Sequence, residues 1–177
     1  MSHIKSPVLF IFSGLPGAGK STLAQRLASK LGCVYLRIDT IEQSIRDLYS
    51  LTVEGEGYQI SYRIAGDNLK IGISVVADSC NPVELTRTEW EDVARTNGAT
   101  HLNIEVCCTD KAEHQKRVET RISSIPNHNI PTWADVEQRL YHPWTKERIV
   151  VDTCGKSVDA SFNQLCSALA DQQNTEE

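Results

Sequence analysis

The 177-residue sequence has no low-complexity stretch, no C-x-x-C pair and no histidines at metal-ligand spacing. It also lacks a basic surplus: 18 Lys and Arg stand against 23 Asp and Glu, a net charge of −5. That balance gives no global attraction to nucleic acid or to an acidic membrane surface. No apolar run approaches the roughly 20 residues of a membrane helix. Lys5 precedes an apolar run at Val8 to Phe12, but the run is too short for the h-region of a signal peptide. With no metal or redox spacing, the six cysteines read as reduced thiols beside apolar runs. These absences predict a cytoplasmic chain with no membrane partner. Its length suits one domain over residues 1–171, and the polar tail 172–177 is not expected to fold.

What is present is an alternation of strand and helix patterns along the whole chain. Val8 to Phe12 is continuously apolar and rich in β-branched and aromatic residues, as in a strand buried on both faces. Leu23, Leu27 and Leu31 then recur every fourth residue up to a Gly32 stop. A second strand is predicted over Cys33 to Ile38, a helix over Ile41 to Leu51, and, after a break at Glu54 to Gly57, another over Tyr58 to Ile71. Ile73 to Ala77 reads as a third strand, followed by a polar helix from Asn81-Pro82 to about Arg95. Thr100 to Cys107 alternates polar and apolar residues, predicting a fourth strand with one wet face. A charged helix over Lys111 to Ser124, a proline-bounded loop over Ile125 to Pro131 and a short helix over Trp133 to Leu140 follow. Ile149 to Val151 gives a fifth strand, and Val158 to Leu169 the closing helix. Such alternation predicts an α/β fold with a mostly parallel sheet and helices on both faces. Ligands bind such sheets beyond the carboxyl ends of the strands, where Gly14, Asp39, Asp78, Asp110 and Asp152 fall.

The first of these strand ends carries the sharpest signal. Gly14-Leu15-Pro16-Gly17-Ala18-Gly19-Lys20-Ser21 fits G-x-x-x-x-G-K-[ST] and lies between a predicted strand and a predicted helix. Glycines let successive N–H groups curl around an anion, and the helix N-terminus, with Thr22 in its first turn, adds open donors. Lys20 supplies a charge for the β and γ phosphates, and the Ser21 hydroxyl a ligand for magnesium. ATP with Mg2+ is the expected occupant.

Beyond this loop, "LRIDTIEQSIR" (36–46), "VVADSCNPVELTR" (75–87) and "EHQKRVETR" (113–121) follow in order. With them the chain resembles the P-loop kinases of the nucleoside-monophosphate-kinase-like group. It is similar in particular to the small kinase families labelled AAA ATPases, near gluconate kinase, zeta toxin and polynucleotide kinase. The resemblance implies a three-layer fold with five strands in the order 2-3-1-4-5 and a small helical lid at about 114–143. It implies Asp39 facing an acceptor hydroxyl as base, and Arg117 and Arg121 on the lid stabilising transferred charge. Unlike AAA motors, the candidate metal strands end in Asp78-Ser79 and Asp152-Thr153, with no glutamate to activate water.

Each candidate has a plainer alternative. Asp39 suits a helix cap as well as a base, and Asp78 a solvated or capping carboxylate as well as a partner of magnesium. Arg117 and Arg121, with Glu113 one turn earlier, also suit a salt-bridged surface. Tyr58, Tyr62, Asn68 and Arg87 are placed at the acceptor pocket, and Trp90, Trp133 and Trp144 read as packing anchors. The expected activity is transfer of the ATP γ-phosphoryl group to a hydroxyl of a small molecule. A polynucleotide 5′-hydroxyl kinase and a nucleotide-binding regulatory module are the alternatives, the former disfavoured by the acidic balance.

Overall fold

The central strands of this chain, Val8–Ser13 and Val75–Asp78, are almost wholly apolar and must be covered on both faces. The computed structural model, which describes residues 6–175, meets this with a central sheet between two helical layers. The strands are β1 (Val8–Ser13), β2 (Val34–Arg37), β3 (Val75–Asp78), β4 (Thr100–Cys107) and β5 (Ile149–Asp152). The helices are α1 (Lys20–Leu31), α2 (Ile38–Tyr49), α3 (Glu56–Lys70), α4 (Glu84–Thr96), α5 (Lys111–Thr120), α6 (Trp133–Glu137) and α7 (Val158–Thr175).

The sheet order is β2-β3-β1-β4-β5 and every pairing is parallel, with Phe12 beside Asp78 and Ile104, and Arg37 beside Asp78. All five carboxyl ends therefore lie along one edge. Side chains alternate across the sheet: Phe10 and Phe12 of β1 pack with Leu23 and Leu27 of α1 and Phe162 and Leu165 of α7. Leu9 and Ile11 face the other way, onto Tyr62 and Leu69 of α3 and Trp90 and Ala94 of α4.

Three sequence expectations are corrected. The face of β4 that reads as wet is partly covered: Asn103 is buried and donates to Glu91 Oε1 at 2.8 Å, and Glu105 accepts from Tyr141 and Arg148. Asp39 does not end a strand, because α2 already begins at Ile38 and Asp39 sits in its first turn without a capping hydrogen bond. The closing helix runs to Thr175, since no Gly or Pro interrupts it after Leu169; residues 176 and 177 of the predicted tail lie outside the described residues. No described helix is long and apolar enough to cross a membrane.

Candidate functional site

The turn between β1 and α1 is held in a conformation only glycine adopts readily. Gly14, Gly17 and Gly19 have φ of +142°, +87° and +94°. A Cβ on Gly14 would stand 2.1 Å from the Val106 carbonyl oxygen, so this glycine lets the turn press against β4. From outside, Thr153 donates its hydroxyl to the Ala18 carbonyl at 2.9 Å, and the His114 ring lies 2.9 Å from the Pro16 carbonyl. Ala18 is itself buried and points into the core. At the other end, Gly19 caps α1 without a side-chain acceptor, leaving first-turn amides for a bound anion.

Lys20 and Asp78 meet beneath this loop. Lys20 Nζ lies 2.9 Å from Asp78 Oδ1, and the Tyr35 hydroxyl donates to Asp78 Oδ2 at 2.7 Å. Arg37 Nε stands 3.9 Å from the same oxygen, and the nearby Ser21 hydroxyl favours the charged form of the carboxyl. Burial alone would push the Asp78 carboxyl up, but the Lys20 charge and these donors hold it below its ordinary value. Burial likewise opposes the Lys20 ammonium, and Asp78, with Asp39 behind it, reverses the effect and raises its pKa.

Above the loop opens a cavity of about 500 Å³, which Lys20, Arg37, Arg117, Arg121, His128 and Arg139 surround with cationic or ionisable nitrogen; Asp39 is its single lining carboxylate. Such a ring suits a polyanion. Arg121 follows α5 as its C-cap; burial lowers its pKa, Asp39 partly offsets this, and its buried Nε has no partner. Arg117 is differently engaged. It donates to the Thr153 hydroxyl and carbonyl at 2.7 and 2.9 Å and pairs with Glu113, tying α5 to the end of β5.

A second cavity, of about 880 Å³, opens between α2, α3 and the start of α4. Asp39, Cys80 and Arg139 line both cavities, so the two meet at these side chains. Burial pushes the Cys80 thiol at this junction up, against the opposing pull of Lys20 and Arg139.

Of the residues expected in an acceptor pocket, Tyr58 lines this cavity and three others do not. Tyr62, one turn on, is buried edge-on against Trp90 at 4.6 Å and donates to Glu89 at 3.0 Å. Asn68 spends its amide on the Ile64 carbonyl of its own helix at 2.8 Å. Arg87 is 2% exposed, donates to the carbonyls of Asn81, Pro82, His142 and Pro143, and stacks 4.1 Å from the Trp144 ring. Asn81 in turn adopts a left-handed φ of 45° and donates its side-chain amide to the Phe12 carbonyl at 3.0 Å. The D-x-x-N-P stretch with its trailing arginine is thus a latch between β3, α4 and the end of β1.

Sequence reading missed Arg37, His128 and Arg139. Arg37 ends a strand and Arg139 lies just past α6, but neither belongs to a periodic pattern. Only the strand-end rule that singled out the carboxylates would have marked Arg37.

The donor set also fits magnesium. The Ser21 hydroxyl faces the phosphate cavity and lies close enough to Asp78 to favour its charged form, a hard-oxygen pair suited to that ion. A second group, Cys108, Glu113 and Cys154, brings its ligand atoms within 4.8 Å of one another. There Glu113 already accepts from the Gly155 N–H and pairs with Arg117, so the group is occupied by its own hydrogen bonds. All six cysteines are free, and only Cys108 is fully buried.

Similar folds occur in solved structures. A candidate kinase from Chloroflexus aurantiacus matches with a TM-score of 0.72 at 21% identity, over 94% of this chain and 97% of that one. A gluconokinase from Sinorhizobium meliloti matches at 0.66 and 15%, over 96% and 95%. Kti12 from Chaetomium thermophilum, in complex with ADP-AlF3, matches at 0.68 and 17%, over 92% and 97%. Identities this low speak for the fold. Among curated proteins no relative matches. The model of the AAA domain family AAA_33 matches residues 9–140. With that match over most of its length, a complete phosphate loop and the sheet order of the P-loop kinases, the chain belongs to this P-loop kinase-like AAA_33 family.

Proposed function

We propose that the protein is an ATP-dependent phosphotransferase that moves the γ-phosphoryl group to a hydroxyl of a small molecule. The observation that carries this reading is the junction: Asp39 lines both the cationic cavity over the phosphate loop and the larger cavity beside it. A donor in one and an acceptor in the other meet at a carboxylate. The gluconokinase and ADP-AlF3-bound neighbours support the reading by analogy of fold. The free cysteines fit a cytoplasmic enzyme.

In the proposed reaction the loop amides and Lys20 bind the polyphosphate, and Lys20 exchanges Asp78 for phosphate oxygens. Asp39 accepts the proton of the acceptor hydroxyl as its oxygen bonds to the γ-phosphorus; the bridging P–O bond breaks and ADP leaves with that electron pair. Arg121 and Arg139 stabilise the spread charge, Arg117 secures α5, and the segment 114–143 acts as the lid that excludes water. Magnesium, held by Ser21 with Asp78 behind it, neutralises phosphate charge when bound.

The test is magnesium-dependent ADP release over a panel of hydroxylated compounds, with Lys20→Ala as blank. Asp39→Asn should lower kcat by about 10²–10⁴-fold while leaving the Kd for ATP within about threefold, as expected for a general base. Tight magnesium-dependent ATP binding with no turnover on any acceptor would point to a nucleotide-binding regulatory module instead.

A further inference from the structure

The charge of the second cavity identifies the chemical class of acceptor. The phosphate cavity presents one carboxylate among its cationic groups, whereas the second presents five, namely Asp39, Glu42, Glu54, Glu56 and Glu89, against the guanidiniums of Arg63 and Arg139. Not all of these are available to a ligand. Glu42 is paired with Arg46 at 3.1 Å, Arg139 stands at the phosphate junction, and Asp39 is needed by the reacting hydroxyl. Glu54, Glu56 and Glu89 remain, opposed by Arg63 alone.

Two of these, Glu56 and Glu89, are placed by contacts that leave their charge in force. Glu56 accepts the backbone N–H groups of Glu54 and Gly55 at 2.8 and 3.0 Å, and those bonds hold its carboxyl below the usual range. Glu89 accepts only the Tyr62 hydroxyl, at 3.0 Å. Glu42 is wedged onto α3, where a Cβ on Gly57 would come 2.3 Å from its Cγ, so the acidic wall has a fixed floor. Tyr58, Ile60 and Leu85 give the same cavity apolar surface. The volume, about 880 Å³, lies in the range of roughly 300–1,000 Å³ that takes drug-sized ligands.

We infer that the acceptor is a cationic amino-alcohol, a polyhydroxylated molecule whose protonated amine is held by the Glu54, Glu56 and Glu89 wall while its hydroxyl reaches Asp39. This rests on the phosphotransfer reading, because it assigns the second cavity to the acceptor. An anionic acceptor, such as a sugar acid or a nucleic-acid end, brings like charge against the wall; with Glu54 and Glu56 exposed, each such pair weakens binding by about twofold to fivefold, and the three together by about tenfold or more. A neutral polyol meets no repulsion but gains no charge-assisted hydrogen bond.

The experiment uses the full chain with magnesium-ATP at fixed ionic strength. Its acceptors are glucosamine and a larger aminocyclitol, their hydroxyl analogues, gluconate, and an oligonucleotide with a free 5′-hydroxyl. The amines should exceed their hydroxyl analogues in kcat/KM by about tenfold or more, with both anions lowest. Glu89→Gln keeps an acceptor for Tyr62 and removes one charge, so it should cut the amine-to-hydroxyl selectivity ratio by about fivefold to tenfold. Equal or better use of neutral or anionic acceptors, or a ratio unmoved in Glu89→Gln, overturns the inference. Calorimetric titration of the aminocyclitol into the Lys20→Ala protein separates the two readings. Binding that weakens in the Lys20→Ala/Glu89→Gln double variant, with no turnover of any acceptor by the wild-type protein, sinks the phosphotransfer reading and keeps the cation site. Turnover of gluconate or the oligonucleotide in preference to amines does the reverse.

Discussion

Lys20 Nζ and Asp78 Oδ1 lie 2.9 Å apart in a buried ion pair that joins the phosphate loop to the end of β3. With Asp78 2% exposed and Lys20 9% exposed, neither charge is left to bulk solvent. Removing one partner from a buried pair strands the other, at a cost of about 3–5 kcal/mol. Asp78→Asn should therefore lower unfolding stability by about 3 kcal/mol near neutral pH, measured by denaturant titration.

The pH dependence of that loss follows from the direction of each shift. Asp78 is held below its ordinary value in the folded protein, so its contribution is complete above about pH 4 and is lost as pH falls through the depressed folded pKa. Lys20 is raised, so its contribution is complete below about pH 10 and fades as pH rises through the folded pKa. The stability difference between wild type and Asp78→Asn should be flat from about pH 5 to 9 and shrink at both extremes. A difference that varies steeply across the middle of that range would contradict the pair as described.

Lys20→Ala should be tolerated better by the fold. It leaves Asp78 with the Tyr35 hydroxyl and with Arg37 at 3.9 Å, so the stranded carboxylate keeps two partners. A loss of about 1–3 kcal/mol is expected, the cost of one unmet partner to a charged group. Turnover should fall far more, by about 10²–10³-fold in kcat, because in the proposed reaction the lysine of the phosphate loop meets the charge that develops on the transferred phosphoryl group. Single-turnover kinetics on protein shown to be folded by circular dichroism checks both parts.

The parts of this architecture that were legible in the sequence are those written locally. The apolar run of β1, the glycine loop and the four-residue rhythm of α1 each lie within a dozen residues, and the parallel sheet follows from their alternation with later pairs. The lining of the second cavity was not legible in this way. Tyr58 and Tyr62 are one helical turn apart and equally plausible as lining residues; only the packing of Trp90 from α4 decides that Tyr62 is core and Tyr58 faces the cavity. Arg37, His128 and Arg139 converge from three separate segments, and no spacing rule relates residues brought together by tertiary structure. Arg87 shows the opposite failure, a motif residue whose chemistry is spent on backbone carbonyls.

The glycines of the phosphate loop should divide by substitution. Gly14→Ala places a Cβ 2.1 Å from the Val106 carbonyl, a backbone atom that cannot swing away. Gly19→Ala meets nothing closer than the Thr153 methyl at 3.5 Å, and its strain is that of a left-handed residue alone. That strain costs about 1–2 kcal/mol. Gly19→Ala should therefore remain folded and lose nucleotide affinity, whereas Gly14→Ala should lose the fold itself. Thermal unfolding of the two purified variants, or failure of Gly14→Ala to yield soluble protein, is the measurement. Equal stability of the two would show that β1 and β4 are not in close contact at this turn.

Arg87 supplies the sharpest separation between structural and substrate roles. Its guanidinium bridges four carbonyls and lies between the Trp144 and Tyr141 rings, with centroids at 4.1 and 4.9 Å. A lysine has neither the planar fork nor the stacking face, so Arg87→Lys is not a conservative change here. Losing two or more charge-assisted bonds to buried carbonyls should cost about 3 kcal/mol or more of stability. For a chain of this size that corresponds to a fall in Tm of about 6–12 °C. Because Arg87 lines neither cavity, the KM values for ATP and for an acceptor should stay within about twofold at a temperature where the variant is folded. A selective rise in acceptor KM with unchanged Tm would return Arg87 to the substrate pocket and break the latch between α4, the 142–143 segment and the end of β1.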